Sequence, residues 1–471
     1  MVKLILRNKI TVSNLPANIK ESIISNLTLP NPVYESNVKQ GYSTWNVKPN
    51  LLNFSILPNG DLVVPRGFRP ELIHRLNDNE IDFNVDDQRS KFDYESIDMS
   101  TITLRPYQEA ALRQLVASGR TEGLLIAPAG SGKTVMGLSM IGIFGQPTLW
   151  LTHTGQLATQ AIERITDFLP IPKKDIGRLG GGKWDVGEMI TVGMVQTLVR
   201  RKDELYKMMD QFGLVILDEA HHCPARIFTE VISSFNPQYL FGLTATPYRR
   251  DKLEKLMFQV IGPEIVRIPQ KDVKDQGGIM IPKVYYRTYN SAKVDGNNIH
   301  NIMKKHIIDN KDRNRMIVSD VLAEAHQGNF CIVVSDRRAH CETLHELIKL
   351  GWEKTGVATG KYSRKYVEEQ VNRYLSGEIT VLVTTFALLG EGFDISFLNR
   401  AFITTPFRAE AKAEQLVGRI QRVSDGKTDA IIYDYVDHNI GVVRNQFFTG
   451  KAHKPCRYNV YKRLGLEVVP L

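Results

Sequence analysis

A chain of 471 residues, 42% hydrophobic and 24% charged, has room for about three domains and the balance of a globular protein, which excludes collagen-like and wholly disordered classes. Its formal charge of +9 favours an acidic partner, and nucleic acid is the commonest one. The four cysteines (Cys223, Cys331, Cys341 and Cys456) show no C-x-x-C spacing, so neither a disulfide framework nor a zinc site is expected, and a reducing cytoplasm suits them.

The N-terminus, Met-Val-Lys-Leu-Ile-Leu-Arg, is charged too soon for a signal peptide. The most apolar stretch, residues 135–151, is broken by Gly142, Gly145, Gln146 and Pro147, which argues against a membrane span.

Residues 1–76 read as a small separate domain. Strands are expected over 4–6 and 10–12, and a helix over 17–27, where Ile19, Ile23, Ile24 and Leu27 share a face. Pro58-Asn59-Gly60 is a hairpin turn between strands over 51–57 and 61–64. A second helix is expected over 70–76, with Pro70 in its first turn. This segment carries nine basic against four acidic residues, with Tyr34, Tyr42 and Trp45 among them. Basic and aromatic side chains together can hold a sugar–phosphate backbone and stack on bases. The other reading makes the aromatics the core of a small domain. Residues 77–100 reverse the sign, with eight acidic against two basic residues, and read as a solvated linker.

From residue 101 apolar runs alternate with helical segments, the pattern of a parallel sheet with crossover helices. Strands are expected over 124–126, 148–151, 190–192, 214–217 and 240–243, then again over 331–334, 356–358, 381–384, 401–403 and 430–433. Two α/β domains, 101–262 and 301–440, would flank a connector over 263–300 that contains Gly277, Gly278 and Pro282. A basic tail, 441–471, would follow.

Chemistry concentrates first at residues 124–134, Leu-Leu-Ile-Ala-Pro-Ala-Gly-Ser-Gly-Lys-Thr. Pro128, Ala129, Gly130, Ser131 and Gly132 form a loop whose small residues let backbone N–H groups approach a phosphate. Lys133 supplies positive charge for the β- and γ-phosphates and Thr134 a hydroxyl for Mg²⁺. A helix over 135–143 would point its N-terminus at the anion. Ala127 stands where such loops usually begin with glycine. The second concentration is residues 214–221, Leu-Val-Ile-Leu-Asp-Glu-Ala-His. There an apolar strand ends in Asp218, suited to the metal, and Glu219, suited to positioning or deprotonating a water.

Asp218-Glu-Ala-His221, with Gly-Ser-Gly-Lys-Thr before it, Leu243-Thr-Ala-Thr246 after it and Gln415-Leu-Val-Gly-Arg-Ile-Gln-Arg422 closing the set, resembles the superfamily 2 helicases over about residues 101–440. The form Asp-Glu-Ala-His-His is similar to the XPB-type and UvsW-like DNA translocases. The resemblance implies an α/β fold of two tandem RecA-like parallel-sheet domains behind a small α+β N-terminal domain, with ATP and Mg²⁺ as cofactors. It assigns adenine reading to Gln108, with Arg105 nearby, because an amide both donates to and accepts from one edge of the base. Glu391, Gly392 and Asp394 would line the nucleotide, while His221, Thr244, Thr246 and Gln415 would couple hydrolysis to movement. Arg419 and Arg422, three apart on an expected helix, would act as arginine fingers across a cleft between the two domains. Strand contacts would fall at Thr152, His153, Thr154, Gln196, Thr197, Arg337, Arg338, Thr359, Gly360, Lys361 and Thr385, gripping phosphates without sequence preference. Thr154 stands where the family often has a basic residue. In place of the XPB branch's basic-aromatic insertion, Tyr248-Arg-Arg250 and Lys252 form a candidate substitute.

The expectation is an ATP-dependent DNA helicase or translocase that remodels branched or partly single-stranded DNA in replication, recombination or repair. Its setting would be a bacterial or phage-infected cytoplasm, with replication or recombination proteins as partners and no membrane. An RNA helicase, or a DNA-pumping subunit of a restriction or phage-defence complex, are the alternatives.

Overall fold

The computed structural model describes residues 1–93, 97–220, 230–245, 253–291, 299–390, 395–407, 410–448 and 456–471. The chain divides into two units: residues 1–128 with 132–272, and residues 129–131 with 273–471.

In the first unit a five-stranded sheet runs in the order Ser55–Ile56, Leu62–Pro65, Lys9–Ser13, Val2–Leu6 and Phe83–Asp87. Its core is aliphatic: Val2, Leu4, Ile10, Val12 and Val64 from the sheet meet Ile23 and Leu27 of helix Ala17–Leu27 and Leu72 and Leu76 of helix Arg69–Asp78. The acidic stretch is therefore not a solvated linker throughout. Phe83–Asp87 pairs in parallel with Val2–Leu6, Phe83 opposite Val2 and Asp87 opposite Leu6. Lys3 and Arg89 absorb its charge, with Asp86 3.4 Å from Lys3 Nζ and Asp87 2.6 Å from Arg89 Nη2. A two-stranded hairpin, Thr28–Pro30 with Asn50–Leu52, carries helix Pro32–Gln40 and the loop after it. Tyr42 and Trp45 in that loop are 65% and 84% exposed, so they are not core residues.

The same unit holds an eight-stranded sheet in the order Lys183–Asp185, Gly177–Gly180, Ile190–Met194, Thr148–Thr152, Leu214–Leu217, Tyr239–Thr244, Glu122–Ile126 and Glu264–Arg267. Only Lys183–Asp185 is antiparallel to its neighbour. Leu214–Leu217 is buried along its whole length, which is why it reads as a continuous apolar run rather than an alternation.

The N-terminal domain docks on this sheet through Glu122, which is 1% exposed. Arg66, Arg69 and Arg89 surround it at 3.2, 2.6 and 3.3 Å. Arg66 Nη1 also donates to the Pro237 carbonyl at 2.6 Å. Burial lowers the Arg66 guanidinium to about 10, against the pull of Glu122, which leaves it charged at neutral pH. Gln259 Nε2 donates to the Asn26 carbonyl at 3.0 Å, and Asn53 Nδ2 to Gln259 Oε1 at 2.9 Å. At Gly67 a Cβ would come within 2.3 Å of the Gly262 nitrogen, so backbone meets backbone there.

The second unit is built on a seven-stranded parallel sheet, in the order Thr355–Ala358, Val381–Thr385, Cys331–Ser335, Arg400–Ile403, Ile431–Asp437, Lys283–Tyr289 and Val468–Pro470. Two expectations change here. The segment read as a connector supplies strands to both sheets: Glu264–Arg267 to the first and Lys283–Tyr289 to the second. The segment read as a basic tail folds back as helix Arg457–Arg463 and edge strand Val468–Pro470. Arg457 is buried and clasps Asp434 through two bonds of 2.7 and 2.8 Å, with Tyr461 Oη donating to the same carboxylate at 2.9 Å. A buried arginine paired with a carboxylate of an interior strand is structural rather than a solvated charge.

Candidate nucleotide and strand-contact sites

Both sheets gather the expected residues at the carboxyl ends of their parallel strands, where open α/β sheets hold ligands. In the first unit, strand Glu122–Ile126 ends at Ala127, whose N–H donates to the Thr244 carbonyl at 2.9 Å on the neighbouring strand. Gly130 and Gly132 follow with φ of +82° and +78°, the left-handed region that favours glycine. A Cβ at Gly132 would also lie 2.4 Å from Gln108 Nε2. Ala127 is not among the positive-φ residues, so alanine is tolerated at the loop's first position.

Helix Lys133–Phe144 starts at the lysine itself. Lys133 is 8% exposed and its Nζ lies 3.4 Å from the Ala127 carbonyl and 3.4 Å from Glu219 Oε1. Asp218 caps strand Leu214–Leu217, its N–H donating to the Leu151 carbonyl at 2.9 Å and its Oδ1 accepting from the Glu219 N–H at 3.0 Å. Burial at the strand end and the neighbouring Glu219 push the Asp218 carboxyl up to about 7, with Lys133 pulling the other way. Glu219 itself has φ of +49°, a conformation that costs a non-glycine residue about 1–3 kcal/mol and that clusters at functional sites. Two left-handed glycines, a helix N-terminus, a buried lysine, Thr134 and two carboxylates form a donor set that fits a nucleotide's phosphates and a divalent cation.

Gln108 sits in the first turn of helix Pro106–Ala117, where its Oε1 accepts from the Arg105 N–H at 2.9 Å and its amide nitrogen faces Gly132. It ties that helix to the phosphate loop. Thr152 ends strand Thr148–Thr152, with its hydroxyl donating to the Thr154 carbonyl at 3.2 Å. The Thr154 hydroxyl caps helix Gly155–Phe168 by accepting from the Leu157 N–H at 3.3 Å, a local use that a basic residue there could not make. His153 lies between them. Gln196 and Thr197 follow strand Ile190–Met194 in the turn of helix Val195–Leu198. His221, Thr246, Tyr248, Arg249, Arg250 and Lys252 lie outside the described residues.

In the second unit, Arg337 and Arg338 follow strand Cys331–Ser335, Lys361 and its neighbours follow Thr355–Ala358, and Thr385 ends Val381–Thr385. The strand order brings these three ends side by side. A Cβ at Gly360 would lie 3.2 Å from the Arg338 guanidinium, so the arginine lies over that backbone. Glu342 occupies part of this surface: Thr359 Oγ1 donates to its Oε1 at 3.2 Å and Lys361 Nζ is 3.6 Å from its Oε2.

Sequence reasoning missed the groups that pin these loops. Asp336 N–H donates to Thr405 Oγ1 at 2.8 Å, and Arg337 N–H to Ser335 Oγ at 3.1 Å. His340, buried with its rings' nitrogens 3.1 Å from Ser335 Oγ and 2.9 Å from Asn314 Oδ1, is held neutral by burial and Arg313, which lower it to about 3. No motif marks them; only tertiary proximity does.

The arginine pair also differs from expectation. Helix Glu410–Ile420 contains Gln415 and Arg419 but ends before Arg422, whose N–H donates to the Arg419 carbonyl at 3.2 Å in a tightened last turn. Lys427 terminates this helix, donating to the Ile420 and Arg422 carbonyls at 2.6 and 2.7 Å. Burial and the nearby Arg422 lower the Lys427 ammonium to about 8. Glu391, Gly392 and Asp394 lie outside the described residues.

Two family models match the chain: the type III restriction enzyme res subunit over residues 101–249 and the helicase conserved C-terminal domain over residues 313–424. A protein of Acanthamoeba polyphaga mimivirus named as an ATP-dependent RNA helicase is 27% identical over 391 residues, covering 80% of this chain and 72% of its own length. The DNA 3'-5' translocase XPB2 of Sulfurisphaera tokodaii is 27% identical over 362 residues, 69% of this chain and 80% of its own length. Among solved structures, S. cerevisiae Dbp5 bound to RNA and ADP BeF3 aligns with a TM-score of 0.54 at 14% identity, covering 78% of this chain and 90% of that one. The type ISP restriction-modification enzyme LlaBIII bound to DNA aligns with a TM-score of 0.57 at 15% identity, covering 82% of this chain and 33% of that one. These two show the shared fold of paired RecA-like sheets. Matched in both motor halves and carrying the phosphate loop and the Asp218-Glu219 pair at the carboxyl ends of the first sheet's strands, the chain is a superfamily 2 helicase that resembles the XPB-type enzymes.

Proposed function

We propose that this chain hydrolyses ATP to move along DNA and to unwind or remodel branched duplexes. The observation that carries the hydrolytic part is the placement of Lys133 between the phosphate loop and Glu219, with Asp218 alongside. Bound there, Mg²⁺·ATP would supply the γ-phosphoryl group and its bridging metal. Lys133 would hold the phosphates, Thr134 and Asp218 the metal, and Glu219 would take a proton from the attacking water. Gln108 and Arg105 would read adenine, with Glu391, Gly392 and Asp394 completing the pocket, while His221, Thr244, Thr246 and Gln415 would transmit its state. Arg419 and Arg422 would neutralise charge developing during transfer. Arg338 over Gly360, with Lys361 beside them, would grip one strand by its phosphates, as would His153, Thr154, Gln196 and Thr197, whereas the side chains of Thr152, Thr359 and Thr385 are buried and do not face a strand.

The DNA assignment is supported by the relative named as a DNA 3'-5' translocase. A relative named as an RNA helicase favours a second reading, an RNA motor. The match to a restriction-enzyme subunit favours a third, a pump that translocates without unwinding. ATPase rates with forked DNA, blunt duplex and single-stranded RNA, alongside strand displacement on the fork, separate all three. Stimulation by RNA alone, or DNA stimulation without displacement, would replace the proposal. A bacterial or phage-infected cytoplasm and replication or recombination partners suit the proposed substrate.

A further inference from the structure

Between helix Pro32–Gln40 and strand Asn50–Leu52 the chain makes an ordered loop that presents two aromatic rings to solvent. Trp45 is 84% and Tyr42 65% exposed, though tryptophan commonly buries roughly 200 Å² in a core or interface. The loop is not loose. Tyr42 N–H donates to the Asn37 carbonyl at 2.9 Å, Asn37 Nδ2 to the Ser43 carbonyl at 3.1 Å, and Trp45 N–H to Ser43 Oγ at 3.2 Å. Asn31 Nδ2 holds the far end through the Lys48 carbonyl at 2.8 Å. Asn46, immediately after the tryptophan, takes φ of +64°, a turn that asparagine tolerates.

We infer that Trp45 and Tyr42 form a stacking platform for unpaired bases of a nucleic-acid strand, with the exposed Lys39 and Lys48 meeting its phosphates. Every base presents a π-face, so such a platform is indifferent to sequence, as a motor's must be. Within the loop the exposed Ser43 and Asn46 beside the rings are polar, while the exposed apolar Val33 and Val38 lie on the preceding helix. Arg66 and Arg69 are committed to Glu122, so the positive charge beside the rings is that of the exposed Lys39 and Lys48. The arginine cluster on Glu122 fixes this domain to the first parallel sheet, so a strand held here is held relative to the motor. The inference rests on the nucleic-acid reading above and adds that the N-terminal domain takes unpaired bases rather than duplex backbone.

The test is equilibrium binding of the full chain, without ATP, to oligo(dT), oligo(U) and a blunt duplex at one salt concentration. Trp45→Ala should weaken single-strand binding about tenfold, Trp45→Phe much less, and neither should change duplex binding. Strand addition should quench tryptophan fluorescence in the wild type and much less in Trp45→Phe, since Trp150 is fully buried and Trp184 and Trp352 are half-buried. Unchanged strand affinity in Trp45→Ala would overturn the inference, as would an equal loss on strand and duplex. Self-association that disappears in Trp45→Ala while strand binding persists would assign the loop, with exposed Val33 and Val38, to a second copy and also overturn it. Because binding is read without turnover, an absence of nucleic-acid-stimulated ATPase would defeat the functional reading and leave the loop judged by these affinities alone.

Discussion

Lys133 Nζ and Glu219 Oε1 lie 3.4 Å apart, so the lysine of the phosphate loop and the base of the adjacent strand end form one ion pair. Each is placed to act on the γ-phosphate's surroundings, and each is oriented by the other. Lys133→Ala and Glu219→Gln should therefore each lower ATP turnover by about a hundredfold or more, the usual size for losing a positioned acid–base group. Phosphate release under saturating forked DNA checks this; turnover within a few-fold of wild type in either variant would refute the assigned site.

The backbone of Glu219 supplies a separate test. At φ of +49° it carries strain that glycine would not. Glu219→Gly should abolish hydrolysis while leaving the protein as stable as wild type, or more stable by up to about 1 kcal/mol. A clear fall in the thermal midpoint would show that the carboxylate, and not the backbone, dominates stability there.

Asp218, raised to about 7, predicts a pH dependence. With its folded value above the unfolded one, its contribution to stability is fully present below the ordinary carboxylate range and is lost as pH rises through about 7. A metal needs the carboxylate form, so Mg²⁺ binding should strengthen from pH 6 to 8 and release a proton in that window. Calorimetric titration in two buffers of different ionisation enthalpy reads that proton, and Asp218→Asn should remove it.

Lys427 ends the helix that carries Arg419, and three carbonyls depend on its ammonium: Ile420, Arg422 and, at 3.3 Å, Ser396. Lys427→Met should lower kcat several-fold with little change in KM for ATP, because it loosens the arginine pair without touching the phosphate loop. An unchanged kcat would show that Arg422 keeps its place without this tie.

The buried pair Arg457–Asp434 predicts that the C-terminal segment is part of the fold. Asp434→Ala leaves a buried guanidinium without its carboxylate and should destabilise the second unit by about 3 kcal/mol or more. Removing residues 449–471 should do the same, and urea unfolding measures both.

How much of this the sequence disclosed depends on the kind of signal. Strands such as Leu214–Leu217, buried on both faces, are legible as apolar runs, and the helix over Ala17–Leu27 as a repeat of isoleucines. The phosphate loop is legible because its backbone demands glycine at two fixed positions. Lys283–Tyr289 is not, since its sequence, Lys-Val-Tyr-Tyr-Arg-Thr-Tyr, mixes tyrosines with charged and hydroxyl residues without a regular alternation and looks like a connector until a partner strand is present. Phe83–Asp87 is hidden by its acids, because Lys3, the counter-charge of Asp86, comes from the first strand of the chain. Arg457, within the basic tail, gives no local sign of its partner Asp434. The end of the arginine helix was misjudged for a similar reason: the lysine that terminates it reaches back from beyond a turn.

Glu122 opens the strand that leads into the phosphate loop, yet all three arginines around it belong to residues before 101. The point at which the shared helicase sequence begins is thus not a point at which the chain can be cut. Starting the protein at residue 101 would leave a carboxylate stranded at the root of the nucleotide-binding strand. The two parts should therefore be inherited, melted and purified as one piece, and a chain bearing a different front domain should carry a different residue at this strand's first position.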